Sequence, residues 1–177
     1  MRVAPPTGAG SDPGDPGAGG RQAAGGRPAP QFKLEYVTSI TDPEVRAFLL
    51  EGTRTAKLGY VSPSGRVLVA PVWFTIEGEE LIFNTGKDTA KGRFLARDPR
   101  ATVCVDLEQE PYGFVQVQGN AELSEDPAEL LRTATVIAAR YVGPDRAEEF
   151  GRRNGVPGEL LVRVRPTKVI AYFNMTG

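Results

Sequence analysis

Arg66-Val67-Leu68-Val69-Ala70-Pro71-Val72-Trp73-Phe74-Thr75-Ile76 is apolar at nearly every position. As a strand it sets Val67, Val69, Pro71 and Trp73 on one face and Leu68, Ala70, Val72, Phe74 and Ile76 on the other, because successive side chains alternate. A strand apolar on both faces is expected to be covered on both. One face suits the interior of a barrel, and the other a partner chain or a flat ligand. Pro71 has no amide donor, so the strand should bulge near it or lie at a sheet edge.

On the N-terminal side, Ser62-Pro63-Ser64-Gly65 has turn composition and joins this segment to a strand over Thr53–Val61. Before that, Thr41-Asp42-Pro43-Glu44 has capping-box spacing with a Pro in the first turn. Val45, Phe48 and Leu49 then share a helical face that Gly52 ends. On the other side, Glu77-Gly78-Glu79-Glu80 turns into a short strand, Leu81–Thr85, and a helix follows over Thr89–Arg97. Ala101–Leu107 and Phe114–Leu123 alternate as strands: Ala101, Val103, Val105 and Leu107 share a face, as do Val115, Val117, Ala121 and Leu123, while Gln116 and Gln118 point the other way, to solvent or to a neighbouring subunit's cofactor. Asp126-Pro127 opens the longest helix, whose apolar stripe is Leu130, Leu131, Ala134, Ile137, Ala138 and Tyr141. A short helix from Pro144 to Gly151 and a last strand over Glu159–Phe173, bent at Pro166, complete the order. Short connections without helical crossovers favour an antiparallel sheet. Six strands with few helices favour a small closed or half-closed barrel.

Composition sets the limits. Residues 1–30 hold 8 of the 21 Gly and 6 of the 15 Pro and no Ile, Leu, Phe, Tyr or Trp, so they cannot offset their own ordering entropy. They read as a disordered tail, which leaves 31–177 as one domain. The chain has no His and one Cys. That excludes Ser-His-Asp and Cys-His nucleophile systems, His metal sites and an internal disulfide. Cys104 lies in an apolar strand and reads as a buried, inert thiol. A net charge of −1 gives no reason for nucleic-acid or membrane binding. With no apolar leader and no run long enough to span a bilayer, the expectation is a cytoplasmic protein.

Chemistry concentrates in Asn84-Thr85-Gly86-Lys87-Asp88-Thr89-Ala90-Lys91-Gly92. A strand ends in a Gly turn, and a helix opens with hydroxyl and ammonium groups beside its free amides. This pattern fits a phosphate cradle, with Thr85, Thr89, Lys87 and Lys91 as donors. It also fits an ordinary capped surface helix with solvated lysines.

Gly65-Arg66-Val67-Leu68-Val69-Ala70-Pro71-Val72-Trp73-Phe74 and the Lys91-Gly92-Arg93-Phe94-Leu95-Ala96-Arg97-Asp98-Pro99-Arg100 helix, with Gly119-Asn120-Ala121-Glu122-Leu123 after them, resemble the split-barrel superfamily of pyridoxamine-phosphate oxidase. Within it they look most like the deazaflavin (coenzyme F420)-dependent oxidoreductases. The resemblance covers about Val45 to Phe173. It implies a mainly β fold with helices, a six-stranded antiparallel split β-barrel, forming a homodimer with cofactor sites at the interface. It implies that Lys91 and Thr89 contact the cofactor phosphate and that Asn84 and Thr85, at the Gly86 turn, touch the ring or its ribityl chain. The backbone of Ala70, Pro71, Val72 and Trp73 would run along the ring. Lys57 is either solvated or part of the site, and Lys87 would reach the acidic tail of a deazaflavin. Trp73 fits a core layer and a pocket wall equally. Pyridoxamine-phosphate oxidases proper resemble one another in a C-terminal segment with Arg and His, which is missing here, so oxidation of the vitamin phosphate is not expected.

The resulting expectation is hydride transfer between F420 and a small conjugated substrate. FMN on the same barrel is the alternative cofactor, and a non-catalytic flavin- or deazaflavin-binding protein is the alternative role. Tyr60, Tyr112 and Tyr172 are the tyrosines considered as proton donors, each also readable as structural.

Overall fold

A computed structural model describes residues 36–176. The reading of 1–30 as a tail, and the domain start at 31, lie outside the described residues. Among the described residues the order is β1 (Tyr36–Thr38), α1 (Pro43–Leu50), β2 (Ala56–Val61), β3 (Val67–Val72), β4 (Thr75–Glu77), β5 (Glu80–Gly86), α2 (Ala90–Arg97), β6 (Arg100–Asp106), β7 (Phe114–Ser124), α3 (Pro127–Val142), α4 (Pro144–Asn154) and β8 (Glu159–Tyr172). The strands pair antiparallel in the sequence β3-β2-β6-β7-β8-β5-β4, and β1 also pairs with β8.

The sheet therefore has 8 strands, not the expected six. One addition is β1, a short strand held by the end of β8. The other comes from the apolar segment 66–76, which is two strands rather than one. At the break, the Phe74 amide donates to the Tyr141 hydroxyl (3.4 Å) and the Phe74 carbonyl accepts from Arg140 Nη1 (3.0 Å). Side chains of α3 thus take backbone groups that a continuous strand would offer to its neighbour. β3 and β4 stand at opposite ends of the pairing order, yet only Trp73 and Phe74 separate them in the chain. A link that short obliges the sheet to curl until its two edges approach. Fully buried Phe74 anchors the crossing, a burial worth about 1.5–3 kcal/mol.

The core fills this curl. Leu58 from β2, Leu81 and Phe83 from β5, Val103 and Val105 from β6, Val115 and Val117 from β7, and Val162 and Val164 from β8 are all at 0 % exposure in one cluster. α1 adds Val45, Phe48 and Leu49 to it. Its cap is Asp42, whose carboxylate accepts from the Glu44 and Val45 amides, one residue later than the Thr41–Glu44 spacing suggests. On the outer side of the sheet, Ile82 and Leu161 pack under Leu130 of α3. β5 is consequently buried on both faces. Leu131 leaves the expected stripe and is exposed, whereas Leu130, Ala134, Ile137 and Ala138 are buried. Among the described residues no helix is long and apolar enough to cross a membrane.

Two sequence punctuations are realised structurally. β3 is an edge strand in the pairing order, as Pro71 requires. Opposite Pro166 the register shifts between Gln118 and Gly119, leaving Thr167 as an extra residue on β8. A side chain at Gly119 would start 2.2 Å from the Arg165 carbonyl, so the strands approach there only because of glycine.

Candidate functional site

One cavity of about 400 Å3 gathers most of the residues picked out in the sequence. Its walls are Pro71, Val72 and Trp73 from the end of β3, Asn84, Thr85 and Gly86 from β5, and Thr89 and Lys91 at the start of α2. Ala134, Ile137 and Ala138 of α3, Asn154 of α4 and Glu159 of β8 close it. Small-molecule sites fall in this size range.

The β5–α2 corner is held by its own hydroxyls. Thr89 caps α2, its Oγ1 accepting from the Gly92 amide (3.2 Å) and donating to the Gly86 carbonyl (2.7 Å). Thr85 Oγ1 lies 3.1 Å from Thr89 Oγ1. A Cβ on Gly92 would sit 2.5 Å from the Gly86 carbonyl oxygen, so the first turn of α2 rests directly on the preceding turn. The Lys87 amide donates to the Gly158 carbonyl at 2.8 Å, tying this corner to the start of β8. The helix N-terminus with its positive dipole end thus opens beside Lys91 and two hydroxyls.

Asn84 carries the most telling atom. Its Oδ1 accepts a long hydrogen bond from Thr133 (3.5 Å), while its Nδ2 is buried with no partner. An unmade buried donor costs about 1–3 kcal/mol. Asn84 lines the cavity, and an acceptor on a bound ligand would satisfy this donor.

Trp73 is a wall, not a core layer. It is 38 % exposed and stacks on Tyr141 with centroids 4.9 Å apart and planes 1° from parallel. Tyr141 is fixed in turn by donating to the Arg54 carbonyl (2.8 Å), and burial pushes its phenol pKa up. Arg140 clamps the region by donating to the Gly52, Phe74 and Leu49 carbonyls. Burial lowers its pKa from the ordinary arginine value. Lys91 and Glu159 are the charged residues of the lining. Burial raises the Glu159 pKa, and the nearby Lys91 charge pulls it back down.

Three residues from the sequence reading do not line this cavity. Lys57 forms an ion pair with Asp106 and lines a separate depression with Glu51, Arg54 and Glu108. Lys87 is exposed and pairs with Glu125 (2.8 Å). Ala70 lies one position before Pro71, on the inner side of β3. None of Tyr60, Tyr112 and Tyr172 reaches the cavity lining. Gln118 donates to Gln116 on the outer side of β7. Cys104 shares that outer side and is half-buried rather than in the core. Burial and Asp106 push its thiol pKa up despite Lys57, which keeps it protonated. Asn154, Ala134, Ala138 and Glu159 had no signal as site residues, because distant elements deliver them.

The curled antiparallel sheet, with four helices and a cavity at the β5–α2 corner, has the architecture of a split barrel. The sequence pattern of the pyridoxamine 5'-phosphate oxidase family matches residues 41–173, and the chain belongs to that family. In structure the chain is similar to a conserved hypothetical protein from Mycobacterium tuberculosis at 21 % identity and TM-score 0.68, covering 81 % of this chain and 91 % of that one. It is similar to an F420 reductase at 27 % identity and TM-score 0.54, over 70 % of this chain and 94 % of the other. It is also similar to a heme storage protein from Vibrio cholerae at 16 % identity and TM-score 0.61, over 79 % and 100 %. None of the curated proteins matches the chain.

Proposed function

We propose that the cavity holds a phosphorylated deazaflavin of the F420 type and that the protein is a cytoplasmic oxidoreductase acting on a small conjugated substrate. The observation that carries this reading is the convergence of the Thr89-capped helix start, Lys91 and the unpartnered Asn84 Nδ2 on one aromatic-walled cavity. Lys91 and the free amides of α2 suit a phosphate. Asn84 suits a hydroxyl or ring acceptor, and Trp73 offers a flat apolar surface.

When bound, such a cofactor supplies a hydride, two electrons at once. The residues of the chain bind, orient and exclude water. Tyr141 and Arg140 keep Trp73 and the β3–β4 crossing rigid through bonds to backbone carbonyls. Among the described residues no tyrosine lines the cavity, so Tyr60, Tyr112 and Tyr172 are not the donors of the proton that accompanies the hydride.

FMN is the rival cofactor, since the phosphate cradle suits it as well. Heme is less well served, because the chain has no His and the lining has no Cys, Met or Tyr to ligate iron. The same lack of His argues against oxidation of the vitamin phosphate. Homodimerisation belongs to the proposal too. Val67 and Val69, on the outward face of β3, are 69 % and 67 % exposed, an apolar strip suited to a second copy.

The test is a fluorescence titration of the purified protein with F420 and FMN side by side. Saturable F420 binding and hydride transfer to a conjugated acceptor are expected. Saturable binding of neither cofactor would contradict the reading. Tight F420 binding without turnover of any acceptor would leave a non-catalytic carrier.

A further inference from the structure

We infer that Glu159 is a specificity-determining residue that makes this cavity prefer a singly charged phosphodiester over a doubly charged phosphate monoester. The inference rests on the cofactor reading above. Gly86 and Glu159 are direct cross-strand partners on β5 and β8. A Cβ built on Gly86 would meet the Thr89 methyl at 3.1 Å and Glu159 Oε1 at 3.4 Å. The carboxylate and the helix-capping residue therefore border the same small space. Lys91, two residues into α2, lines that space as well, and its charge acts on Glu159. The charged lining is thus one cation and one anion.

A phosphate bound at the start of α2 meets Lys91 and, bordering the same space, the Glu159 carboxylate. A phosphodiester carries one negative charge. The terminal phosphate of FMN carries close to two at neutral pH, its second pKa lying near about 6. Each unit of anionic charge is repelled by Glu159 over a distance of several ångströms, in a half-buried site where such repulsion is only partly screened. The helix amides and Lys91 compensate the first charge but not the second. In F420 the phosphate bridges the ribityl chain and the acidic tail as a diester, so the carboxylate selects against FMN without touching a flavin ring. This gives a local basis for cofactor choice that does not require Lys57 or Lys87.

The experiment measures dissociation constants for F420, FMN and riboflavin with the wild type, Glu159→Gln and Glu159→Asp by fluorescence titration at pH 7.5. In the wild type, FMN is expected to bind within about threefold of riboflavin, because its phosphate gains little. Glu159→Gln is expected to tighten FMN about tenfold and F420 about threefold, leaving riboflavin within about twofold. Glu159→Asp keeps the charge and should keep the discrimination. If F420 binds but Glu159→Gln leaves FMN unchanged, or tightens riboflavin as much as FMN, this inference fails and the cofactor reading stands. A wild type that binds FMN a hundredfold tighter than riboflavin overturns it with no variant needed. If neither F420 nor FMN binds any of the three proteins, the cofactor reading fails and this inference with it.

Discussion

The β5–α2 corner and the outward face of β2 and β3 both carry residues that the sequence marks for the cofactor, and they have different fates. At the corner, Thr85, Thr89 and Lys91 converge on one cavity with an unpartnered amide donor. On the outward face, Lys57 is paired with Asp106 across β2 and β6 and stands opposite Pro71, with exposed Val69 and Val67 further along β3. Both regions present cations and flat apolar surface. What separates them is whether the polar groups are already satisfied. The corner keeps a buried donor and a helix start in reserve, whereas the face has used its charge and keeps apolar area, a surface suited to protein rather than to a cofactor phosphate.

The largest blow to this contrast is Gly92→Ala. The added methyl has no room against the Gly86 carbonyl. It should lower stability by about 2 kcal/mol, near 8 °C in Tm, and weaken F420 binding by about thirtyfold, read by calorimetry and titration. Val69→Asp tests the other side. It places a charge in the exposed strip and should convert a dimer to a monomer in light scattering, with an unchanged circular dichroism spectrum. Thr89→Ala is a smaller cut. Loss of the cap costs about 1 kcal/mol, and F420 affinity should fall about tenfold. Lys87→Ala removes only an exposed pair with Glu125. Solvent-exposed pairs contribute little to stability, so F420 affinity and Tm should move by less than about twofold and about 2 °C.

Much of the barrel is legible in local pattern. The alternation in Ala101–Leu107 and Phe114–Leu123 matches β6 and β7, and Asp126-Pro127 caps α3 as read. Pro71 places β3 at an edge because a missing donor is a local fact. The break after Val72 is not legible. Apolar residues run straight through it, and the groups that interrupt the strand, Arg140 and Tyr141, come from α3. The site divides in the same way. The Thr89 cap and Lys91 sit within one turn of helix and follow from spacing. Lys57 and Lys87 look free in the sequence because their partners, Asp106 and Glu125, lie 49 and 38 residues away. Glu159 enters only through the pairing of β8 with β5, a register that no local motif fixes.

The most direct measurement of the central claim is a paired F420 titration of Lys91→Ala and Lys57→Ala against the wild type. A lost contact to a charged phosphate costs about 1.5–3 kcal/mol, so Lys91→Ala should bind about thirtyfold more weakly, while Lys57→Ala should match the wild type within about twofold. If Lys91→Ala binds F420 as tightly as the wild type, or if Lys57→Ala suffers the larger loss, the cofactor phosphate does not sit at the β5–α2 corner and the account is wrong.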